Sequence, residues 1–289
     1  MSEVFFSYDS AASRPVAVKV LADHLAGDQQ FVNRFYREAI LSRSLSHPSL
    51  VQGITHGFDA VARQHYLVLE FIDGLSAQEV LNRRGLFPVA VAVRVACEVA
   101  SALSYLHSQR FVHRDVKPDN VLLAPNLPAK LADLGLAKRI HQTDGHLTTP
   151  NQGFGTPHYM PIEQAVNAAL ADARSDIFSL GATLYHLVTG RVPFPDCESA
   201  PADPRPPLVL ASVVCPQVPP ALDEILHRML ANDPQERFQS VPELMTALNK
   251  VGLASTTAEY ARFLGTVMRE PGTVSEPRDD HPTRHGVNP

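Results

Sequence analysis

The chain has 289 residues, 45% hydrophobic and 19% charged, a length that suits one large two-lobed domain whose core needs no disulfide or metal staple. Its 25 Lys and Arg stand against 30 Asp and Glu, and the net charge of −5 argues against broad binding to nucleic acid or to an anionic membrane surface. Cys97, Cys197 and Cys215 fit no zinc spacing and suggest a reducing, cytoplasmic setting; no uninterrupted apolar run reaches a membrane span, and no signal peptide opens the chain.

The β-branched run Val16-Ala17-Val18-Lys19-Val20 predicts a buried strand with a lysine inside it. Residues 29–45 have helical periodicity, with Phe31, Phe35, Ala39 and Ile40 near one face and Asn33, Arg34 and Arg37 near the other. Residues 50–58 and 66–71 predict two more strands, ended by Asp73-Gly74. From there helices dominate, over residues 89–107, 176–188 and 222–230. Short strands at 121–123 and 130–132 flank a turn that brings polar side chains together. Residues 134–163 have little periodicity, and an irregular stretch of that length inside a compact domain is usually functional. The proline density of residues 193–220 excludes a long helix there, and the polar segment from Glu270 onward predicts disorder.

The densest chemistry lies in His113-Arg114-Asp115-Val116-Lys117-Pro118-Asp119-Asn120, followed by Asp133-Leu134-Gly135. Asp115, Asn120 and Asp133 put three oxygen-bearing side chains at the ends of short strands. Carboxylate plus amide is a hard-ligand set suited to Mg²⁺ carrying a phosphate chain. Lys117, two residues beyond a carboxylate, can face the same point and neutralise a transferring phosphoryl group. The plain alternative is a polar strand-to-strand loop with a structural ion pair, and so many specified residues in one octapeptide make it a poor one.

These motifs resemble the protein kinases, specifically the bacterial Ser/Thr kinases of eukaryotic (Hanks) type. The resemblance covers residues 1–250. HRDVKPDN is similar to the catalytic loop, and Asp133-Leu134-Gly135 to the metal-binding Asp-Phe-Gly, with Leu134 as a neutral exchange. Lys19 then matches the lysine that grips the α- and β-phosphates, and Glu38 the helical glutamate that holds it. Gly155-Thr156 through Glu163 resembles the end of an activation segment, Asp176 the aspartate bracing the catalytic loop, and Arg237 the partner of Glu163. Taken singly, Lys19, Glu38, Glu163 and Arg237 would pass for ordinary surface charges; their order along the chain carries the reading.

The resemblance implies an α+β, two-lobed fold: a small β-rich lobe over residues 1–72 lacking its first strand, a mainly helical lobe over 73–250, and a helix with a disordered tail over 251–289. It implies ATP and Mg²⁺, with Mn²⁺ as an alternative ion. Adenine would lie between Val4, Ala17 and Leu122, with Leu69 behind it and the backbone of Glu70 and Ile72 bonded to the ring. Asp133 and Asn120 would hold the metal, and Asp115 would orient the acceptor hydroxyl beside Lys117. Lys117 with Thr156 resembles the Ser/Thr-specific pattern, so the partners are protein substrates. Phosphate on Thr148 or Thr149, received by Arg114, would order the activation segment.

Three departures qualify this. Val4 matches the valine that closes the glycine-rich loop, which puts Ser2 at its third glycine and leaves Val4 as the only roof over adenine. Either Met1 is not the natural start or this form binds ATP weakly. Met160-Pro161-Ile162-Glu163 carries its proline one place early, and the prolines of 193–220 leave little room for a partner-docking helix. The leading function is a Ser/Thr protein kinase with activation-loop autophosphorylation. The alternatives are a kinase-like scaffold of weak or no turnover and a small-molecule phosphotransferase, which would lack the Arg-Asp-x-Lys pairing.

Overall fold

The computed structural model describes residues 2–134, 137–139, 157–195 and 205–269. The small lobe is a four-stranded antiparallel sheet and one helix. Its strands are β1 (Ser2–Asp9), β2 (Arg14–Leu21), β3 (Gly53–Asp59) and β4 (Gln64–Glu70), in the spatial order β1-β2-β4-β3. Helix α1 (Gln29–Ser44) begins at Asp28, whose carboxylate accepts the Gln30 N–H. Leu21, Val32, Phe35, Ala39 and Leu67 form the core of this lobe. Ile40, expected on the packed face of the helix, is 57% exposed, and Val32 is buried in its place. The helix turns its Val32, Phe35, Ala39 stripe to the sheet, and Ile40 lies one residue past the edge of that stripe.

The large lobe runs from β5 (Leu75–Ser76) through α2 (Ala77–Arg84), α3 (Val89–Ser108), β6 (Phe111–Val112), β7 (Val121–Leu123), β8 (Lys130–Leu131) and β9 (Lys138–Arg139). It continues with α4 (Ile162–Val166), α5 (Ala173–Thr189), α6 (Ala211–Val214), α7 (Pro220–Met229), α8 (Val241–Val251) and α9 (Thr257–Arg269). Strands β5, β7 and β8 form one small sheet, and β6 pairs with β9. The helix predicted over 89–107 is α3. It is the one helix among the described residues long and apolar enough to cross a membrane, and more than half of its apolar stretch is buried in the large lobe. The proline-dense region holds only the four residues of α6 among its described part.

Helix α5 is buried along nearly its whole length because both ends are closed and its sides are apolar. Asp172 and Ser175 form a capping box at its start, and Gly190 ends it in the left-handed region, with φ +70°. Gly181 lies where α5 meets α7: a Cβ there would stand 2.7 Å from the Cβ of Met229. Gly181→Ala should therefore destabilise the fold by about 1–3 kcal/mol through overpacking. A chemical denaturation midpoint at or above that of the wild type would contradict this close approach.

Helix α9 returns to the large lobe. Tyr260, Leu264 and Val267 join its core, and the Arg94 guanidinium lies 4.9 Å from the centre of the Tyr260 ring.

Candidate active site

The predicted residues converge where the two lobes face each other. Lys19 of β2 and Glu38 of α1 are both buried, and Lys19 Nζ lies 2.6 Å from Glu38 Oε1 and 3.3 Å from Asp133 Oδ1. Burial works against the Lys19 charge, but the carboxylates of Glu38 and Asp133 outweigh it and hold the ammonium above its ordinary pKa. Lys19 thus stays a fixed cation. It joins the small lobe to Asp133, two residues beyond the end of β8.

Across the cleft, Asp115 and Lys117 sit in the loop between β6 and β7. Lys117 Nζ is 2.9 Å from Asp115 Oδ2, and Asn120 Nδ2 donates to the same oxygen at 2.9 Å and to the Asp115 carbonyl at 2.8 Å. Ala132 N–H donates to the Asn120 carbonyl at 2.8 Å, which fixes Asp133 beside Asn120. Asn120 spends its amide nitrogen on Asp115, so its oxygen is the atom left for a cation. The Asp133 side chain is 43% exposed. An exposed carboxylate and a neighbouring amide oxygen are hard donors that fit Mg²⁺.

The loop is held from below by Asp176 of α5, which has no exposure. Its carboxylate accepts His107 Nε2 at 2.8 Å, His113 N–H at 2.9 Å and Arg114 N–H at 2.8 Å. Burial opposes this charge, but those hydrogen bonds and the neighbouring histidines hold the carboxyl below its usual range. Arg114 and Asp133 both adopt positive φ, +71° and +64°, which non-glycine residues keep only where their surroundings dictate it. Below the loop, Arg237 is buried and pairs with Glu163, Nη1 to Oε1 at 2.7 Å and Nη2 to Oε2 at 3.1 Å. The early proline therefore leaves Glu163 in place.

The expected nucleobase slot is lined as follows. Val4 pairs with Lys19 in register, Phe6 with Ala17, and Ala17 with Leu69, while Leu122 lies in β7. Ala17, Leu69, Ile72 and Leu122 are half-buried, and Val4 is exposed. The Glu70 N–H is committed to the Gln52 carbonyl at 2.9 Å, so only its own carbonyl can meet a base. Gly135, Thr148, Thr149, Gly155, Thr156 and the tail from Glu270 lie outside the described residues.

Two features escaped the sequence reading. Glu70 Oε1 accepts the Gln52 N–H at 2.8 Å and Lys130 Nζ at 2.7 Å, and Gln52 Nε2 donates to the Ser42 carbonyl at the end of α1, at 3.0 Å. Lys130 is buried, and its Nζ also donates to the Leu50 carbonyl at 3.2 Å. This junction joins residues 42, 52, 70 and 130, so no local pattern announces it. The other is Phe6, whose ring meets Phe71 edge-on with centroids 4.9 Å apart; its signal was its place two residues beyond Val4 on one strand.

Beside Glu163, Tyr159 Oη lies 2.6 Å from His186 Nδ1. Burial and the neighbouring His158 push the His186 pKa down to about 4. The unfolded chain binds this proton near the ordinary 6.5, the fold only near 4. Its contribution to stability is thus complete above that ordinary value and is lost as the pH falls toward the folded one. His186→Gln should flatten the fall of Tm across that window, and parallel Tm curves for the two proteins would show that this ring does not set it.

The family described as Protein kinase domain matches residues 1–248. A probable serine/threonine-protein kinase PknB of Lactococcus lactis is 35% identical over 254 residues, 85% of this chain and 39% of that one. The serine/threonine-protein kinase PknB of Mycolicibacterium smegmatis is 35% identical over 260 residues, 87% of this chain and 41% of that one. The chain thus spans about two fifths of the length of these relatives. Among solved structures, the kinase domain of Mycobacterium tuberculosis PknI is similar with a TM-score of 0.67 at 30% identity, covering 86% of this chain and 91% of that one.

Proposed function

Because the chain belongs to the protein kinase domain family, we propose that it is a Ser/Thr protein kinase that transfers the γ-phosphoryl group of ATP to hydroxyls of protein substrates in the cytoplasm. The observation that carries this is the facing of two charge sets across one cleft: Lys19 with Glu38 and Asp133, and Asp115 with Lys117 and Asn120. The chain's relatives at 35% identity are named serine/threonine-protein kinases, which supports the choice of acceptor.

Each residue then has a task that its geometry supports. Lys19, held by Glu38, neutralises phosphate oxygens without moving. Asp133 and Asn120 would hold Mg²⁺, which supplies positive charge to the phosphate chain when bound. Both contacts on Asp115 fall on Oδ2, so we assign Oδ1 to the acceptor hydroxyl. A loose phosphoryl-transfer transition state asks mainly for such positioning, with the proton removed late. Lys117, 2.9 Å from Asp115, places its charge beside the group in transit. The half-buried Ala17, Leu69 and Leu122 give the base an apolar slot.

Incubation with γ-labelled ATP, Mg²⁺ and a basic protein tests this directly. Label in protein supports the kinase; no label favours a non-catalytic scaffold; label only in a small acceptor favours a small-molecule phosphotransferase. Asp115→Asn should lower transfer at least about a hundredfold while leaving ATP affinity nearly unchanged, since the residue faces the acceptor. Equal losses in turnover and ATP binding would make Asp115 structural. Lys19→Ala should lower turnover by about a hundredfold or more, and near-normal turnover in that variant would remove Lys19 from the site.

A further inference from the structure

The cleft has an aromatic rim to which the kinase reading gives no task. Paired residues of antiparallel strands project from the same face. Val4, Lys19 and Leu67 form one row across the sheet, and Phe6, Ala17 and Leu69 the next. Lys19 reaches Glu38 and Asp133 from this face, so Phe6 shares the face that looks into the cleft. The residue is nevertheless 66% exposed. One side of its ring is met by Phe71, at an interplanar angle of 76°. Phe71 follows Glu70, where β4 ends and the chain passes to the large lobe. Two large apolar rings thus stand together at the mouth of the slot formed by Ala17, Leu69 and Leu122.

We propose that Phe6, braced by Phe71, contacts the nucleobase and closes the front of the adenine slot. The proposal rests on the kinase reading and assigns a further residue to it. A purine has apolar faces and a polar edge. The slot offers apolar side chains above and below, and the backbone of the segment from Glu70 to Ile72 along one side. An aromatic ring at its mouth removes both apolar surfaces from water and can meet the base in an offset or edge-on arrangement. The roof over adenine is therefore larger than Val4 alone, the residue to which the sequence reduced it.

Calorimetric titration of the full chain with adenosine and with Mg·ATP tests this, using the wild type, Phe6→Ala, Phe6→Leu, Phe71→Ala and Lys19→Ala. Phe6→Ala should weaken adenosine and Mg·ATP by the same factor, roughly tenfold, because the lost contact is to the base. Phe6→Leu should recover most of that loss, and Phe71→Ala should show part of it. Lys19→Ala should weaken Mg·ATP and spare adenosine. Wild-type affinity for adenosine in Phe6→Ala overturns the proposal, as does a loss confined to Mg·ATP, which would place the effect at the phosphates. If Phe6→Ala melts early, Phe6→Leu and Phe71→Ala decide: a pair that binds adenosine as the wild type does overturns the proposal equally. A wild type that binds neither ligand overturns the kinase reading itself, a different outcome from one that binds with Phe6 silent.

Discussion

The catalytic loop hangs on the carboxylate of Asp176. A buried carboxylate is costly unless its oxygens are filled, and here the side chain of His107 and two successive backbone N–H groups, of His113 and Arg114, fill them. Those two N–H groups cannot both point at one carboxylate unless the chain turns sharply, and Arg114 makes the turn at positive φ. Asp115 leaves that turn already aimed across the cleft. Helix α5 therefore does more than fill the large lobe, since its first turn carries Asp176, and Ser175 of the same turn donates to Glu163 Oε1 at 2.8 Å.

The cleft separates its chemistry along its length. Glu38, Asp133 and Asp115 gather with Lys19 and Lys117 at one end, while the row through Phe6, Ala17 and Leu69 is apolar. A ligand with one charged end and one flat aromatic end meets both halves only in one orientation. Electrostatic interactions strengthen where water is excluded, so apolar enclosure at one end reinforces the charge pairing at the other.

What could be read in the sequence depended on how local its cause is. Strand β2, helices α1 and α3 and the catalytic loop are written in contiguous periodicity or in a single octapeptide, and all lie where that reading put them. The catalytic pairs were legible only through their order along the chain, because Lys19 and Glu38 separately carry no local sign of meeting. Helix α2 was overlooked although Ser76 and Glu79 form a capping box, a signal present in four residues. Ile40 was misplaced because periodicity fixes the direction of a stripe but not its edges. Phe6 and the Gln52, Glu70 and Lys130 junction were hidden for a deeper reason: cross-strand register and contacts between distant segments decide them, and neither has a local pattern.

That junction limits how the lobes can move. Glu70 is fastened by its side chain to Lys130 in the large lobe and by Gln52 to the end of α1 in the small one. With the back of the connection pinned to both bodies, sliding of one lobe over the other would break these bonds, whereas rotation about the pin would not. Displacement under rotation grows with the lever arm. Strand β1 lies at the edge of the sheet opposite β3, the strand that follows Gln52, and its Ser2 end, five residues along from the row of Glu70, sweeps the longest arc. The small lobe is a door hung at Glu70: Phe6, in contact with Phe71 beside that hinge, moves little, and Val4, farther along β1, swings further.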